Sequence, residues 1–508
     1  MDIVGDGASK LQEQRLFPRR VQRDRQLPST HQSIVTPIRG GNRPDQLPSQ
    51  KWCFRCVPRA TSLEAHIKRE NAMRRISYAI LFATLAGNVA IAQTPLAASG
   101  GSGYFVYNLP SAGGTFSSGN SIDNLGTISG NANQPGDQTT HATVWLFGSR
   151  FDLGTLGGAN SNVQWPVKNN RGVISGIAET ADVNPLGEAW SCSAFFPGKA
   201  TLHNCVGFVS NWGRLRALPT LGGYNGFATG TNDRGQTVGW AENTVHDSTC
   251  NLPQVLQFRA VIWGPGRSQI EELPPLPLQR GETVADVVSA ATAINDKGQV
   301  VGISGICSNA VGGLSAIHAV VWQHGKPTYL GNIGGAAWNT PMAINQNGTV
   351  VGFANVQAGS GLLAHAFLWT RNGGMRDLGT LPGQGAGAQS QALGINERGQ
   401  VVGLSCAAGF ASCQAFLWQN GVMTNLNALV AGGYHDQLVQ ASDINDEGVI
   451  TGEAVGASGA VLSFVAAPGY RPNSRIAAGL HGLALPVELR TKLLQRMGLK
   501  ASDFSASR

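Results

Sequence analysis

Residues 365–403 read HAFLWTRNGGMRDLGTLPGQGAGAQSQALGINERGQVVG, and this stretch decides the fold. AFLW and QVVG are short runs of aromatic and β-branched residues bounded by turn formers, so they read as strands. DLGTL and ALGIN supply two more. The Asn of NERG with Gly at the fourth position is what a type I turn prefers. The Asx side chain bonds the backbone two residues on, and the Gly takes the positive φ. One unit is therefore four antiparallel strands.

The unit recurs seven times. An Asx–x–x–Gly–x–x–x–Gly signature begins at Asp123, Asn169, Asn232, Asn295, Asn345, Asn396 and Asn445. A Leu in a DLGTLGG-like segment precedes each: Leu109, Leu153, Leu218, Leu273, Leu330, Leu378 and Leu426. An apolar run ending in an aromatic contributes Trp145, Trp263, Trp322, Trp369 and Trp418, with AFF at Ala194 and AVLSF at Ala460 as degenerate copies. The second glycines, from Gly130 to Gly452, are spaced 46 to 63 residues apart, the size of a four-stranded propeller blade. The repeat predicts an all-β, seven-bladed β-propeller over residues 104–466, with a short C-terminal helix beyond it.

The chain opens on a DLG-like segment (107–109) and closes on an AFLW-like one (460–464). The last strand is thus expected to complete the first blade and close the ring, which removes exposed edges; under a different phasing every blade is contiguous and no clasp is needed. Two connections in each unit are short and two vary in length. Alternate turns of an antiparallel blade lie on opposite faces, so the short turns share one face and the variable loops the other.

Composition agrees. Gly is 67 of 508 residues, apolar residues are 42 %, and charged residues only 13 %, which suits short strands joined by tight turns. The formal net charge is +7, yet its distribution is uneven. Residues 1–72 carry 13 Lys/Arg against 7 Asp/Glu, residues 93–469 carry 15 against 21, and the last 39 carry 7 against 2. The basic residues of the acidic central body are scattered along the sequence, whereas a phosphate-binding surface needs them clustered. Nucleic acid is not an expected partner.

At Met73 the sequence MRRISYAILFATLAGNVAIAQ has a positive start, an apolar stretch too short for a comfortable membrane span, and a small-x-small site at 90–92. This is the pattern of a secretory signal peptide (73–92), and residues 1–72 read as a disordered leader outside the mature protein. The expected location is extracellular or periplasmic. Six cysteines follow the signal, and an even number in an oxidising compartment favours disulfides. Cys406–Cys413 would clip one loop, with Cys192–Cys205 and Cys250–Cys307 the next pairings. The basic tail, residues 467–508, places Leu489, Leu493 and Met497 on one stripe of a short helix that docks as a cap.

The phrases HAFLW, DLGTLGG and AINxxGQVVG resemble the HAF-repeat family of extracellular bacterial proteins, over nearly all of residues 105–465. The resemblance implies a secreted repeat protein and supplies no catalytic residues.

His141, His318 and His365 hold equivalent positions, replaced by Arg259, Ser193 and Gln414 elsewhere. They read as strand-edge residues bonding locally rather than as metal ligands, and the Asx residues lack the alternating carboxylates of a calcium loop. No nucleophile elbow or phosphate loop stands out, so neither a catalytic residue, a metal nor a cofactor is assigned. The non-repeated aromatics of the variable loops, Phe116, Trp165, Tyr224, Trp338 and Tyr434, are the candidate ligand contacts. The expected function is a secreted, monomeric binding scaffold for a glycan or protein. The alternative is a propeller hydrolase or lyase working at the central channel. The first test concerns export: N-terminal sequencing of the secreted product should find a start near Gln93, and a secreted form retaining residues 1–72 would refute the signal assignment.

Overall fold

The computed structural model describes residues 103–470 apart from 197–200, 212, 267–268, 312–315 and 357–362. The leader, the signal peptide and the C-terminal helix lie outside the described residues. The strands form seven four-stranded antiparallel sheets. In the sixth blade these are Gln389–Ile395, Val401–Cys406, Cys413–Gln419 and Val422–Asn425, counted outward from the centre. The ALGIN-type strand is thus innermost, the QVVG-type and AFLW-type strands follow, and the segment ending at the DLG position is outermost. The chain's first strand, Gly103–Asn108, pairs with its last, Val461–Tyr470, and becomes the outer strand of the seventh blade. Pairing of the last strand with the first closes the ring as expected, but the blade so completed is the seventh and not the first, because the blade begins at the ALGIN-type strand.

The signature glycines do two different jobs. The first takes positive φ, +74° at Gly399, where a β-branched residue is strained. The second is extended, and a Cβ there would overlap the carbonyl oxygen of the neighbouring inner strand, Gln391 in the case of Gly403. That approach follows from a β-bulge in six of the inner strands: the register slips at Asn120, Thr229, Thr292, Met342, Leu393 and Ser442.

Blades are tied to their neighbours by the repeated tryptophans. Trp145, Trp263 and Trp322 donate their indole N–H to the carbonyls of Pro110, Pro219 and Pro274 at the end of the preceding blade, at 2.7–2.9 Å. Trp369 and Trp418 are half-buried against the same kind of inter-blade cluster. One landmark is corrected. AFF at Ala194 follows a single helical turn, Trp190–Ser193, and the third strand of the second blade is instead His203–Ser210. An insertion between the second and third strands displaced the match. Val206, which lies two residues before the partner of Gly176, therefore occupies the position first given to Ser193.

All three cysteine pairings form: Cys192–Cys205, Cys250–Cys307 and Cys406–Cys413. The second joins the third blade to the fourth. The turn chemistry is tested by Asn396→Ala combined with Gly399→Val. Asn396 Oδ1 accepts from the Arg398 and Gln400 amides, and its Nδ2 reaches the Asn445 carbonyl. The expected loss is about 2–4 kcal/mol, seen as a lowered Tm, and an unchanged melt would refute the assignment.

Candidate functional site

The central channel is the first place to look. In six blades the residue whose carbonyl covers the second signature Gly lies five positions before the Asx, as Gln391 does before Asn396. In the second blade it is Asn162, seven positions before Asn169. Two extra residues have been inserted into one inner strand. The strand ends at Asn162, and residues 163–168 fill the channel instead of lining it.

Trp165 leaves this segment and packs edge-on against Phe195 and Phe227, at ring-centre distances of 5.8 and 5.2 Å. It touches the apolar clusters on both sides of the ring. Its neighbours Gln164 and Pro166, with four of the bulge residues, leave a cavity of about 10 Å³. Lys168 reaches across to the seventh blade, where its Nζ lies 2.5 Å from Asp443 Oδ1 and 2.7 Å from the Ile444 carbonyl. Asp443 is fully buried; burial pushes its carboxyl up while Lys168 and the Ile122 and Ile444 amides pull it down. The pair, with Asp443 buried and Lys168 half-buried, spans three blades, because Asp443 also accepts the Ile122 amide of the first.

Beyond Lys168, at the mouth on the short-turn face, lies a cavity of about 110 Å³. The residue after each Asx lines it: Asn124, Asn170, Asp233, Asp296, Gln346, Glu397 and Asp446. Each donates its backbone N–H to the side-chain oxygen of the equivalent residue in the next blade, at 2.7–3.2 Å, and the circle closes from Asp446 back to Asn124. These carboxylates converge as a catalytic cluster would, but each already has an oxygen engaged by a backbone donor. An alignment of the seven units carries this signal, since the position is Asn, Asp, Gln or Glu in every copy. The sequence reading missed it by attending to the Asx itself.

The variable-loop face is built differently. Glu179 and Glu242, at equivalent places on the second and third blades, are buried and accept the backbone amides of the Gly-Gly loops at Ala159, Tyr224 and Asn225. Burial pushes the Glu242 carboxyl up, and the charge of Glu188 adds to the shift. Glu188 comes from the loop of the second blade and accepts the Val255 and Leu256 amides of the third, at 2.9 and 2.6 Å. With Cys250–Cys307, these bonds brace the loops of blades two to four into one platform.

The histidines bond locally, as read from the sequence. His141 and His365 each lie 2.9 Å from the Asp of the adjacent outer strand, Asp152 and Asp377. Burial raises the Asp152 carboxyl, but the His141 bond and the Gly154 amide outweigh it and hold it below the usual range. At the same repeat position the pair becomes Arg259–Glu272 in the third blade and Gln414–Asn425 in the sixth. Donor and acceptor change together, which is the mark of a structural contact.

The aromatic candidates do not form one site. Phe116 is buried, 3 % exposed, in a cluster with Phe353 and Phe410. Trp165 is in the channel. Tyr434 is half-buried, and its hydroxyl donates to Asn108 Oδ1 at 2.8 Å. Tyr224 is 37 % exposed on the loop platform. The side chain of Trp338 lies outside the described residues.

This geometry defines a class: a disulfide-bonded, seven-bladed propeller with a filled channel. A family model described as a protein of unknown function (DUF3466) matches residues 241–460, and no curated protein sequence matches. Among solved structures, the acylaminoacyl peptidase of Pyrococcus horikoshii is similar at 10 % identity and a TM-score of 0.36, over 67 % of this chain and 50 % of that one. A Trypanosoma rangeli sialidase in complex with 2,3-difluorosialic acid gives 10 % identity and 0.34, over 63 % and 55 %. A gluconolactonase from Xanthomonas campestris gives 12 % and 0.23, over 42 % and 73 %. The chain spans about half the length of the first two.

His318 differs from its equivalents and yields the pH prediction. Its ring is 4 % exposed, between Asp286 at Nδ1 and Glu282 at Nε2, both 2.8 Å away, and edge-on to Tyr329. Burial opposes its protonation, but the two carboxylates outweigh it and raise the pKa above 6.5. The clamp on the 274–287 loop is therefore fully present below about pH 6.5 and lost as pH rises through the raised value. The Tm difference between wild type and His318→Gln should be largest below that pH and shrink above it. A difference that stays constant with pH would refute the clamp.

Proposed function

We propose that the protein is an exported binding scaffold that presents a protein ligand to the loops of blades two to four. The observation that carries this reading is the distribution of exposed apolar side chains. Val183, Leu186, Leu202, Tyr224, Val245, Leu252, Leu278 and Val284 are 37 to 86 % exposed, and all lie on the variable-loop side of those three blades. The second strands there, Ile174–Val183 and Thr237–His246, are ten residues long and carry their hairpins beyond the rest of the face. A face that gathers this many exposed apolar side chains is the kind that engages a partner, and cross-linking of its loops lowers the ordering cost of binding.

The side chains are mostly aliphatic. They suit a protein surface better than a sugar ring, which stacks on aromatic faces. Three disulfides and a secretory pattern at Met73 support export to the periplasm or the exterior, as does the resemblance to HAF-repeat proteins. The enzymatic alternative has less support, because residues 163–168 occupy the channel where its site would lie.

Pull-downs from the native secretome should capture one ligand with wild type and lose it with Val245→Asp combined with Leu252→Asp. Each introduced charge would have to be desolvated at the interface. The Tm of that variant should stay within about 2 °C of wild type, since exposed positions contribute little to folding. Retained capture by the variant, or a specific glycan-array signal unaffected by it, would refute the platform.

A further inference from the structure

The three disulfides differ in what they join and in what covers them. Cys406 and Cys413 face each other across two strands of the sixth blade. Cys192 and Cys205 both belong to the second blade, in its helical turn and its third strand. Cys250 and Cys307 lie outside any strand. Cys250 is in the third-blade hairpin that connects Thr237–His246 to Leu256–Trp263, and Cys307 begins the helical turn Cys307–Val311 of the fourth blade. Among the described residues this is the only disulfide between two blades.

Burial separates them further. Cys192, Cys205, Cys307, Cys406 and Cys413 are 0–1 % exposed and sit within apolar clusters. Cys250 is half-buried and is followed by the exposed Asn251, Leu252 and Pro253. A disulfide is opened by a thiolate that reaches one of its sulfurs, and an apolar cover excludes a charged attacker. Of the six cysteines, Cys250 is the one open to approach.

The hairpin that carries Cys250 also carries the platform tip, and it is held from two sides. Toward the second blade, Glu188 accepts the Val255 and Leu256 amides. Toward the fourth, the Cys307 and Ser308 amides donate to the Thr249 hydroxyl and carbonyl at 3.0 and 2.9 Å. Two neutral hydrogen bonds hold weakly by themselves, so the disulfide is what fixes that side. Without it Leu252, 86 % exposed, loses its fixed position. The ring does not depend on this link. The pairing of first and last strands, the bonds of the short-turn mouth and the inter-blade tryptophan bonds all lie elsewhere.

We propose that Cys250–Cys307 is a redox-operated strap, opened by a dithiol ahead of the other two disulfides, which frees the platform tip while the propeller stays folded. One thiolate of the dithiol attacks Cys250 Sγ. A mixed disulfide forms, and Cys307 leaves and takes up a proton. The second thiol then attacks the dithiol's own sulfur in the mixed disulfide and releases Cys250 as a thiol. The dithiol is oxidised to its disulfide by the same two electrons that reduce the cystine. Reclosure is the reverse exchange with an oxidised dithiol. What the open strap does to binding rests on the platform reading above; its order of opening does not.

The test is timed reduction of the full exported protein by dithiothreitol under native conditions, quenched with N-ethylmaleimide and read by peptide mapping. Cys250 and Cys307 should be labelled on the order of tenfold or more faster than the other four cysteines, since access sets the rate. Equal rates for all three pairs, or earlier opening of either other pair, would overturn the proposal. Cys250→Ser combined with Cys307→Ser gives the open strap without reductant. Its amide hydrogen exchange over residues 248–254 should rise about tenfold or more, with the innermost strands exchanging as in wild type. Unchanged exchange at 248–254, or faster exchange throughout the ring, would overturn the strap. Should that variant not fold, wild-type protein stopped when only Cys250 and Cys307 are reduced carries the same comparison. Ligand capture is a separate readout. Selective opening with no ligand captured by either form refutes the platform alone, and capture without selective opening refutes the strap alone.

Discussion

The ring of seven backbone-to-side-chain hydrogen bonds at the short-turn mouth is the constraint on which the rest of this propeller depends. A blade satisfies most of its own backbone through its sheet, but the amide after each Asx points out of the turn and toward the next blade. There it meets an oxygen of Asn, Asp, Gln or Glu. Any side chain that can present an oxygen at that reach will serve, which is why the position varies in identity and not in chemistry. A second circle runs beneath it, in which five of the Asn side chains donate to the next Asx carbonyl at 3.0–3.2 Å. It breaks at Asp123, whose carboxylate has no proton to donate, and at Asn169, which turns to its own Val173 carbonyl.

Where that second circle breaks, the first and second blades are held by something else. The inserted segment of the second blade sends Lys168 to Asp443 and Trp165 into the apolar clusters, joining blades that the Asn circle leaves unlinked. Removing one member of a buried ion pair typically costs several kcal/mol, because the other charge is stranded. The insertion therefore spends the central channel on closing the ring. With the channel filled, the surfaces left for function are the two faces, and they differ in every property that matters. One is short-turned and closed at its mouth by the ring of residues after each Asx. The other is irregular, disulfide-braced and apolar at its tips.

The strand types, the turn chemistry, the number of blades and the closure of the ring were legible in the sequence because they rest on local spacing. An Asx and a Gly three apart make a turn whatever lies beyond, and alternation with β-branched residues makes a strand. The Cys406–Cys413 pairing, seven residues apart across one loop, was legible for the same reason. The reading slipped at AFF, where a local resemblance outran the true strand by some ten residues.

What the sequence determined by itself was thus the repeating unit and how many times it is repeated. The tertiary structure decided which residues meet. Lys168 and Asp443 are separated by most of the propeller in sequence, and only ring closure brings a blade-two residue against blade seven. The five aromatics that seemed one set were dispersed: Phe116 entered the core, Trp165 the channel and Tyr434 a bond to the N-terminal strand. Arg171, Arg234 and Arg398, far apart in sequence, share one face with Glu447, since residues one blade apart in sequence occupy equivalent turns around a circle. Spacing along the chain encodes contacts within a blade; contacts between blades exist only once the ring is closed.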